Sequence, residues 1–307
     1  GGGQEGAGQE GAGQEGDQVR RHRVGRLTGP TRRRLDRAMV ERGLVESRPQ
    51  AAALVQRGVV LVSGTVADKP ARLVAADEPI ELAGPPKRFV SRAGEKLDAA
   101  LARFAIDPVG QRALDAGAST GGFTDCLLQA GAASVIAVDV GHGQLHERLR
   151  RDDRVTSLER LDIRDVSLAT VGSPVGLVTA DLSFISVTRA IPVLVGEVAR
   201  PGASVVILVK PQFEAGRVEA SRGRGVIRDP EIHRRTLGEV SGALDAAGAV
   251  IMGVMPSPIT GPAGNVEFLI HARTPTVPVT GGRVARPELR AMVDEAVAEA
   301  HAPGSGG

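Results

Sequence analysis

The chain has 307 residues, 42% of them hydrophobic, which is enough to bury a sizeable core and to form two domains. It contains no apolar run long enough to span a membrane, and its one cysteine, Cys126, excludes an internal disulfide framework. The formal net charge is only +2, but arginines are concentrated near the N-terminus, which favours a polyanionic partner. Because no signal peptide opens the chain and a lone cysteine fits a reducing compartment, we expect a cytoplasmic location.

The first predicted segment is an arm over residues 1–30. It begins with a low-complexity repeat of GQEGA and continues as a basic stretch rich in turn-forming residues. Neither part contains enough apolar residues to bury a core, so we expect the arm to be disordered.

Residues 31–83 are predicted to form a small α+β module. The run RRRLDRAMVERGL has helical spacing, Ser47 is suited to cap a second helix, and VVLVSGTVADKP indicates a hairpin that turns at Ser63 and Gly64. The pattern resembles the RNA-binding domain first recognised in small-subunit ribosomal protein S-four. The resemblance implies that structured RNA is bound by the following polar residues: Arg33, Arg34, Arg37, Arg48 and Gln50. To these we add Arg92; a module with merely solvated arginines is the alternative.

A Gly-Pro-Pro-Lys joint marks a linker over residues 84–90, followed by an α/β domain over 91–272 and a tail over 273–307 with one helix. The domain is organised around residues 113–139, whose pattern predicts strand, glycine-rich turn, helix and strand. Gly117, Gly121 and Gly122 permit a tight turn and the close approach of a ligand. Asp139 ends the second strand, where a carboxylate can meet a ribose diol.

The glycine spacing GxxxGG differs from that of a dinucleotide site. Asp115, just before the glycines, suits a cationic or hydroxylated ligand better than a pyrophosphate. A purely structural glycine turn is the alternative, because short motifs often match by chance.

Polar residues also mark the later strands. Asp162 and Asp181 follow the third and fourth strands, and Lys210 closes the apolar run SVVILV. Because ligands of open α/β sheets lie outside the carboxyl ends of the strands, Asp181 and Lys210 are predicted to face a crevice. Residues 190–199 are predicted to be a helix that Pro201 and Gly202 end.

Six segments together resemble the TlyA-type ribosomal RNA methyltransferases, a family once labelled haemolysins: SRAGEKL, DAGASTGGFTD, VDVGHGQL, ADLSFIS, LVKPQFEAGR and GPAGNVEF. The resemblance implies a Rossmann-like, seven-stranded FtsJ-like domain that uses S-adenosyl-L-methionine. It implies 2′-O-methylation of cytidine ribose in 16S and/or 23S ribosomal RNA within ribosomal subunits, with no metal and no membrane. Contacts to S-adenosylmethionine are expected from these residues: Asp115, Gly117, Ser119, Thr120, Gly121, Gly122, Phe123, Asp139, Asp162 and Asp181.

The resemblance also implies a Lys-Asp-Lys-Glu tetrad at Lys96, Asp181, Lys210 and Glu267. Methyl transfer to a ribose hydroxyl needs the oxygen to be held in line with the methyl group and its proton to be removed. We predict that Lys210 is the general base and that Lys96 helps to hold the oxygen. Asp181 and Glu267 are predicted to orient the two lysines, whereas ordinary surface ion pairs are the alternative.

Three other functions stay open at the sequence level. A non-catalytic ribosome-binding or assembly factor would be expected to have a broken tetrad, but all four residues are present. A literal haemolysin would need a membrane span or a long basic amphipathic helix. A dehydrogenase is distinguished by tighter binding of a nicotinamide cofactor than of S-adenosylmethionine.

Overall fold

The computed structural model describes residues 32–83, 88–216, 219, 221, 223, 225–276 and 286–302. The chain divides into two compact units, with the boundary between Pro86 and Lys87. The arm predicted over residues 1–30 and the four residues of the Gly-Pro-Pro-Lys joint lie outside the described residues. Residues 88–90 of the predicted linker belong to the second unit, in which Phe89 is buried. The other predicted domain boundaries stay predictions.

The first unit combines two helices with short strands. Its elements are β1 (Arg33–Arg34), α1 (Leu35–Glu41), α2 (Arg48–Gln56), β2 (Val60–Val62), β3 (Thr65–Val66), β4 (Leu73–Val74) and β5 (Ile80–Leu82). β1 pairs with β4, and β2 lies between β3 and β5, all antiparallel. Ser63 and Gly64 form the β2–β3 turn with positive φ angles, as a two-residue hairpin turn requires, and the predicted turn is confirmed. Ser47 caps α2 by accepting from the Gln50 N–H, as predicted.

The second unit is built on a seven-stranded sheet, which confirms the predicted fold class. Its strands are β6 (Arg112–Ala116), β7 (Ser134–Asp139), β8 (Val155–Glu159), β9 (Val175–Ala180), β10 (Ala199–Val209), β11 (Val250–Pro256) and β12 (Phe268–Arg273). They lie in the order β11-β12-β10-β9-β6-β7-β8. Neighbouring strands from β10 to β8 are parallel, whereas β12 is antiparallel to both β10 and β11.

Helices cover both faces of this sheet, as a mostly parallel sheet requires. They are α3 (Ala93–Arg103), α4 (Gly122–Gln129), α5 (Glu147–Arg150), α6 (Leu168–Val171), α7 (Pro211–Glu214), α8 (Pro230–Ala246) and α9 (Arg286–Ala300). Leu97 of α3 and Leu127 of α4 belong to one hydrophobic core, whereas Leu244 of α8 and Val297 of α9 belong to the core on the other face. The helix of the predicted C-terminal tail therefore packs into the second unit.

One predicted helix is shorter than expected, and its predicted end is wrong. The helix expected over residues 190–199 is a short π-helical segment, Pro192–Glu197, and β10 already begins at Ala199. Pro201 and Gly202 lie within the β10 range, where the pairing with β9 shifts register between Ala199 and Ser204. A bulge lets a strand accommodate a proline that cannot donate to the ladder, so these residues interrupt pairing and do not end a helix.

Candidate active site

The site lies where the order of the strands reverses. β6 and β9 are neighbours in the sheet. The strand that follows β6 along the chain, β7, lies on the far side of β6, and the strand that follows β9, β10, lies on the far side of β9. A crevice therefore opens between the carboxyl ends of β6 and β9. Two cavities lie there, with volumes of about 520 and about 420 Å³. We refer to them as the larger and the smaller cavity. Their walls share four residues: Gly117, Ser119, Asp181 and Ser183.

The glycine-rich turn fixes the two central strand ends to each other. Gly117 has a φ of +82°, and a Cβ atom on it would lie 2.6 Å from the backbone oxygen of Asp181. The N–H of Asp181 donates to the Ala116 carbonyl at 2.9 Å. Only glycine permits this conformation and this approach, so Gly117 sets the position of Asp181.

The next glycines have different surroundings. Gly121 has a φ of +94°, and a Cβ there would meet the side chains of Leu149 and Leu145. A Cβ on Gly122 would lie 2.2 Å from the Ser91 hydroxyl, at the start of the chain leading into α3. Gly122, Thr120 and Phe123 line the larger cavity, whereas Gly121 lines neither. Gly121 and Gly122 therefore permit close packing, and the cofactor contacts predicted for them stay predictions.

Two carboxylates line the smaller cavity, as the sequence predicts. Asp139 accepts the N–H of Ser119 at 2.7 Å on one oxygen and the N–H of Gly141 at 2.6 Å on the other. Asp162 accepts the backbone N–H and the guanidinium of Arg164, and the hydrogen bond from that guanidinium lowers the pKa of Asp162 to about 2. Both groups are therefore held in place as acceptors.

Asp115 does not reach either cavity. Its side chain is fully buried, and it accepts hydrogen bonds from the Thr124 hydroxyl at 2.7 Å and the Thr179 hydroxyl at 3.3 Å. Burial, with a smaller effect from the Asp181 charge, raises the pKa of Asp115 to about 7. The cofactor contact predicted for Asp115 stays a prediction.

This buried carboxyl predicts a pH dependence of stability. Its folded-state pKa of about 7 exceeds the unfolded value, so the stabilisation it gives is complete below about pH 4. That stabilisation is lost as the pH rises through about 7. Asp115→Asn cannot ionise, and we expect its urea midpoint to fall less than that of the wild type across this range. Asp153→Asn, at an exposed position, serves as the control, and its urea midpoint should change with pH as that of the wild type does. If the urea midpoints of all three proteins changed with pH in the same way, the prediction would be contradicted.

The four residues predicted as a tetrad meet in the larger cavity. Lys96 and Glu267 form an ion pair of 2.5 Å, and Lys210 and Asp181 form another of 2.5 Å. Lys96, Lys210 and Glu267 are less than 10% exposed. Surface ion pairs are well solvated, whereas these charges are held largely away from water, which favours a site over the alternative of ordinary surface pairs.

Strand register explains how these residues come together. Ala116 lies opposite Ala180 in the parallel β6–β9 pair, so Gly117 and Asp181 emerge side by side. Val209 lies opposite Phe268 in the antiparallel β10–β12 pair, so the residue after β10, Lys210, meets the residue before β12, Glu267. The antiparallel direction of β12 therefore brings Glu267 to the same edge of the sheet.

Two neighbours of the tetrad were missed by sequence reasoning. The Lys210 ammonium group donates to the Ser183 hydroxyl at 2.8 Å. Asn265 accepts the N–H of Ile227 at 2.9 Å and donates to the Gly225 carbonyl at 2.8 Å, which fixes residues 225–227 beside the larger cavity. Both lie in segments that resemble the family, but only the folded chain shows what they contact.

Four of the five arginines predicted to bind RNA are exposed and paired with acids of the first unit. Arg34 and Arg48 both bind Asp36, whose pKa falls to about 2, chiefly through the hydrogen bond from Arg34. Arg33 and Arg37 both bind Glu41. The amide oxygen of the exposed Gln50 accepts the Glu46 N–H at 3.0 Å. Arg92 lines the larger cavity of the second unit.

The chain is similar to several known proteins along most of its length. It matches the models of the FtsJ-like methyltransferase family over residues 89–274 and of the S4 domain over residues 33–80. It is 46% identical over 246 residues to the 16S/23S rRNA (cytidine-2′-O)-methyltransferase TlyA of Mycobacterium tuberculosis, a match that covers 80% of this chain and 91% of the relative. It is 39% identical to Hemolysin A of Brachyspira hyodysenteriae, over 78% of this chain and 98% of the relative.

A solved structure of a candidate hemolysin from Streptococcus thermophilus is also similar, with a TM-score of 0.64 and 38% identity over 87% of this chain and 96% of that one. Among the described residues, no helix has both the length and the apolar character needed to cross a membrane. The FtsJ-like model spans more than half of the chain, and the family predicted from the sequence is confirmed. The chain belongs to the TlyA-type, FtsJ-like methyltransferases and carries an S4 domain.

Proposed function

We propose that this protein transfers a methyl group from S-adenosylmethionine to the 2′-hydroxyl of cytidine in 16S and/or 23S ribosomal RNA. The observation that supports this most strongly is the pairing of two buried lysines with two carboxylates in a cavity that adjoins a second, carboxylate-lined cavity. Membership of the family and the activity of the TlyA relative indicate the class of reaction.

The residues of the smaller cavity fit S-adenosylmethionine. Each oxygen of Asp139 takes one backbone N–H and keeps a lone pair, which suits the two hydroxyls of a ribose. Val140, next to it, is 74% exposed and offers an apolar surface to a flat ring, with Asp162 nearby as an acceptor for an amino group. When bound, S-adenosylmethionine supplies an electrophilic methyl group.

The larger cavity would hold the reacting ribose. Lys210, as the neutral amine, would accept the proton of the 2′-hydroxyl, and the oxygen would receive the methyl group that S-adenosylmethionine supplies. Asp181 orients Lys210, and Glu267 orients Lys96, which holds the oxygen from another side of the cavity. Fixing both reactants in one geometry supplies much of the acceleration.

The first unit would bind structured RNA through Arg33, Arg34, Arg37 and Arg48. Asp36 and Glu41 each hold two guanidinium groups in fixed directions. A guanidinium has five N–H donors, so each keeps donors for RNA phosphates, and the fixed direction reduces the entropy lost on binding. We place Gln50 and Arg92 among the contacts, and we propose that the protein acts on ribosomal subunits in the cytoplasm.

Methylation of isolated subunits tests the proposed function. Small and large ribosomal subunits from cells without this chain are incubated with the purified protein and methyl-labelled S-adenosylmethionine. We expect label on the ribose of one or more cytidines, located by mapping 2′-O-methyl groups. Asp181→Asn serves as the negative control. Subunit binding without any transfer would contradict the proposal and indicate an assembly factor, and label on bases would contradict the assigned reaction.

A further inference from the structure

Ser183 holds the Lys210 amine together with Asp181. The Lys210 nitrogen lies 2.8 Å from the Ser183 hydroxyl and 2.5 Å from an Asp181 carboxylate oxygen. Ser183, which accepts a hydrogen bond, and Asp181, which forms an ion pair, come from the segment that directly follows β9, whereas Lys210 follows β10. Two groups on one turn therefore flank a lysine on the neighbouring strand.

The contacts of the Lys210 nitrogen determine the direction of the lone pair with which it can act as a base. A neutral primary amine has two N–H groups and one lone pair. The hydrogen bond to Ser183 takes one N–H, and the negative Asp181 oxygen at 2.5 Å attracts the second N–H to its side, so the lone pair takes the remaining direction. The Lys210 nitrogen then presents its lone pair to the larger cavity, which its side chain lines. Without the hydrogen bond to Ser183, the amine could rotate about its Cε–Nζ bond, and the lone pair would have no fixed direction.

The backbone around Ser183 is consistent with such a task. Phe184, the next residue, has a φ of +70°, a conformation that is costly for a bulky side chain, and it is 90% exposed. A strained backbone at a residue whose side chain is not buried is typical of segments that position functional groups. Ser183 itself is exposed and lies in the walls of both cavities, so its hydroxyl is not part of the hydrophobic core.

We propose that Ser183 is a positioning residue that, with Asp181, directs the lone pair of Lys210 towards the ribose hydroxyl. This inference rests on the proposed methyl transfer. It concerns the orientation of the base and not the binding of either substrate. Its signature is therefore a loss of rate at saturation without a loss of affinity.

The test compares Ser183→Ala, Ser183→Thr and the wild type in single-turnover methyl transfer to ribosomal subunits. We expect Ser183→Ala to transfer about 10- to 100-fold more slowly at saturation, the effect of one hydrogen bond to an ionisable group, with KM unchanged for both substrates. Ser183→Thr keeps the hydroxyl and should retain most of the rate. Ser204→Ala removes a buried hydroxyl from β10 that pairs with His271, and it should transfer at the wild-type rate.

The outcomes separate this inference from the proposed function. A wild type without transfer would overturn both. Transfer by the wild type and an equal rate for Ser183→Ala would overturn only the role of Ser183. A raised KM with an unchanged rate would also overturn it, since it would assign Ser183 to binding. A threonine variant as slow as the alanine variant would show that the hydroxyl is not the group that acts.

Discussion

Lys210→Ala is expected to slow methyl transfer by about 10²- to 10⁴-fold, the usual contribution of a general base. Lys210 is 9% exposed and pairs with Asp181 in the larger cavity, so water cannot readily take its place. Binding should persist, because the arginines of the first unit and the carboxylates of the smaller cavity are left intact. The measurements are the single-turnover rate on ribosomal subunits and the affinity for S-adenosylhomocysteine.

A second variant separates the positive charge of Lys210 from its ability to accept a proton. Lys210→Arg keeps a cation that can pair with Asp181, but a guanidinium stays protonated and cannot serve as the base. We expect it to be about as slow as the alanine variant. Wild-type rates in both variants would show that another group removes the proton. A wild-type rate in Lys210→Arg with a slow Lys210→Ala would indicate that only the positive charge matters.

Gly117→Ala is expected to disable both cavities through one added methyl group. A Cβ at this position would lie 2.6 Å from the backbone oxygen of Asp181, and that backbone cannot yield as a side chain can. Displacing Asp181 by a fraction of an ångström or more disturbs Lys210 as well, and a misplacement of about 1 Å can cost about 10²-fold in rate. Calorimetric binding of S-adenosylhomocysteine and the transfer rate should therefore both decline.

Gly110→Ala is the matched control for this substitution. Gly110 also has a left-handed backbone, with a φ of +69°, but a Cβ atom there would meet no other atom within 4 Å. It should show only the conformational cost of about 1–2 kcal/mol in stability, with full binding and transfer. If the two variants lost activity equally, backbone strain and not the contact with Asp181 would be the cause.

Sequence patterns located the strand ends of the site well. β-branched runs that end in a polar residue predicted Asp139, Asp181 and Lys210 at one edge of the sheet, because parallel strands expose their carboxyl ends together. Glu267 is different: it precedes its strand, and only the antiparallel direction of β12 brings it to that edge. Its place could be expected only from resemblance to a family.

The sequence could not separate ligand contacts from packing within the glycine turn. Asp115 and Gly121 belong to the motif, but neither lines the larger or the smaller cavity. β6 is buried on both faces, so its residues show no polar alternation that would reveal which way Asp115 points. The surroundings of Gly121 depend on Leu145 and Leu149, which come from a later part of the chain.

The ion pair between Lys96 and Glu267 has a consequence for the order of folding. These residues are 171 positions apart, and β12, beside Glu267, pairs with β10 and β11 in the described part of the chain. Contacts between such distant parts of a chain incur the entropy of closing a long loop and tend to form late. Partly folded forms that lack the β10–β12 pairing would therefore have no working site. The return of catalytic activity during refolding would show that the whole second unit has folded.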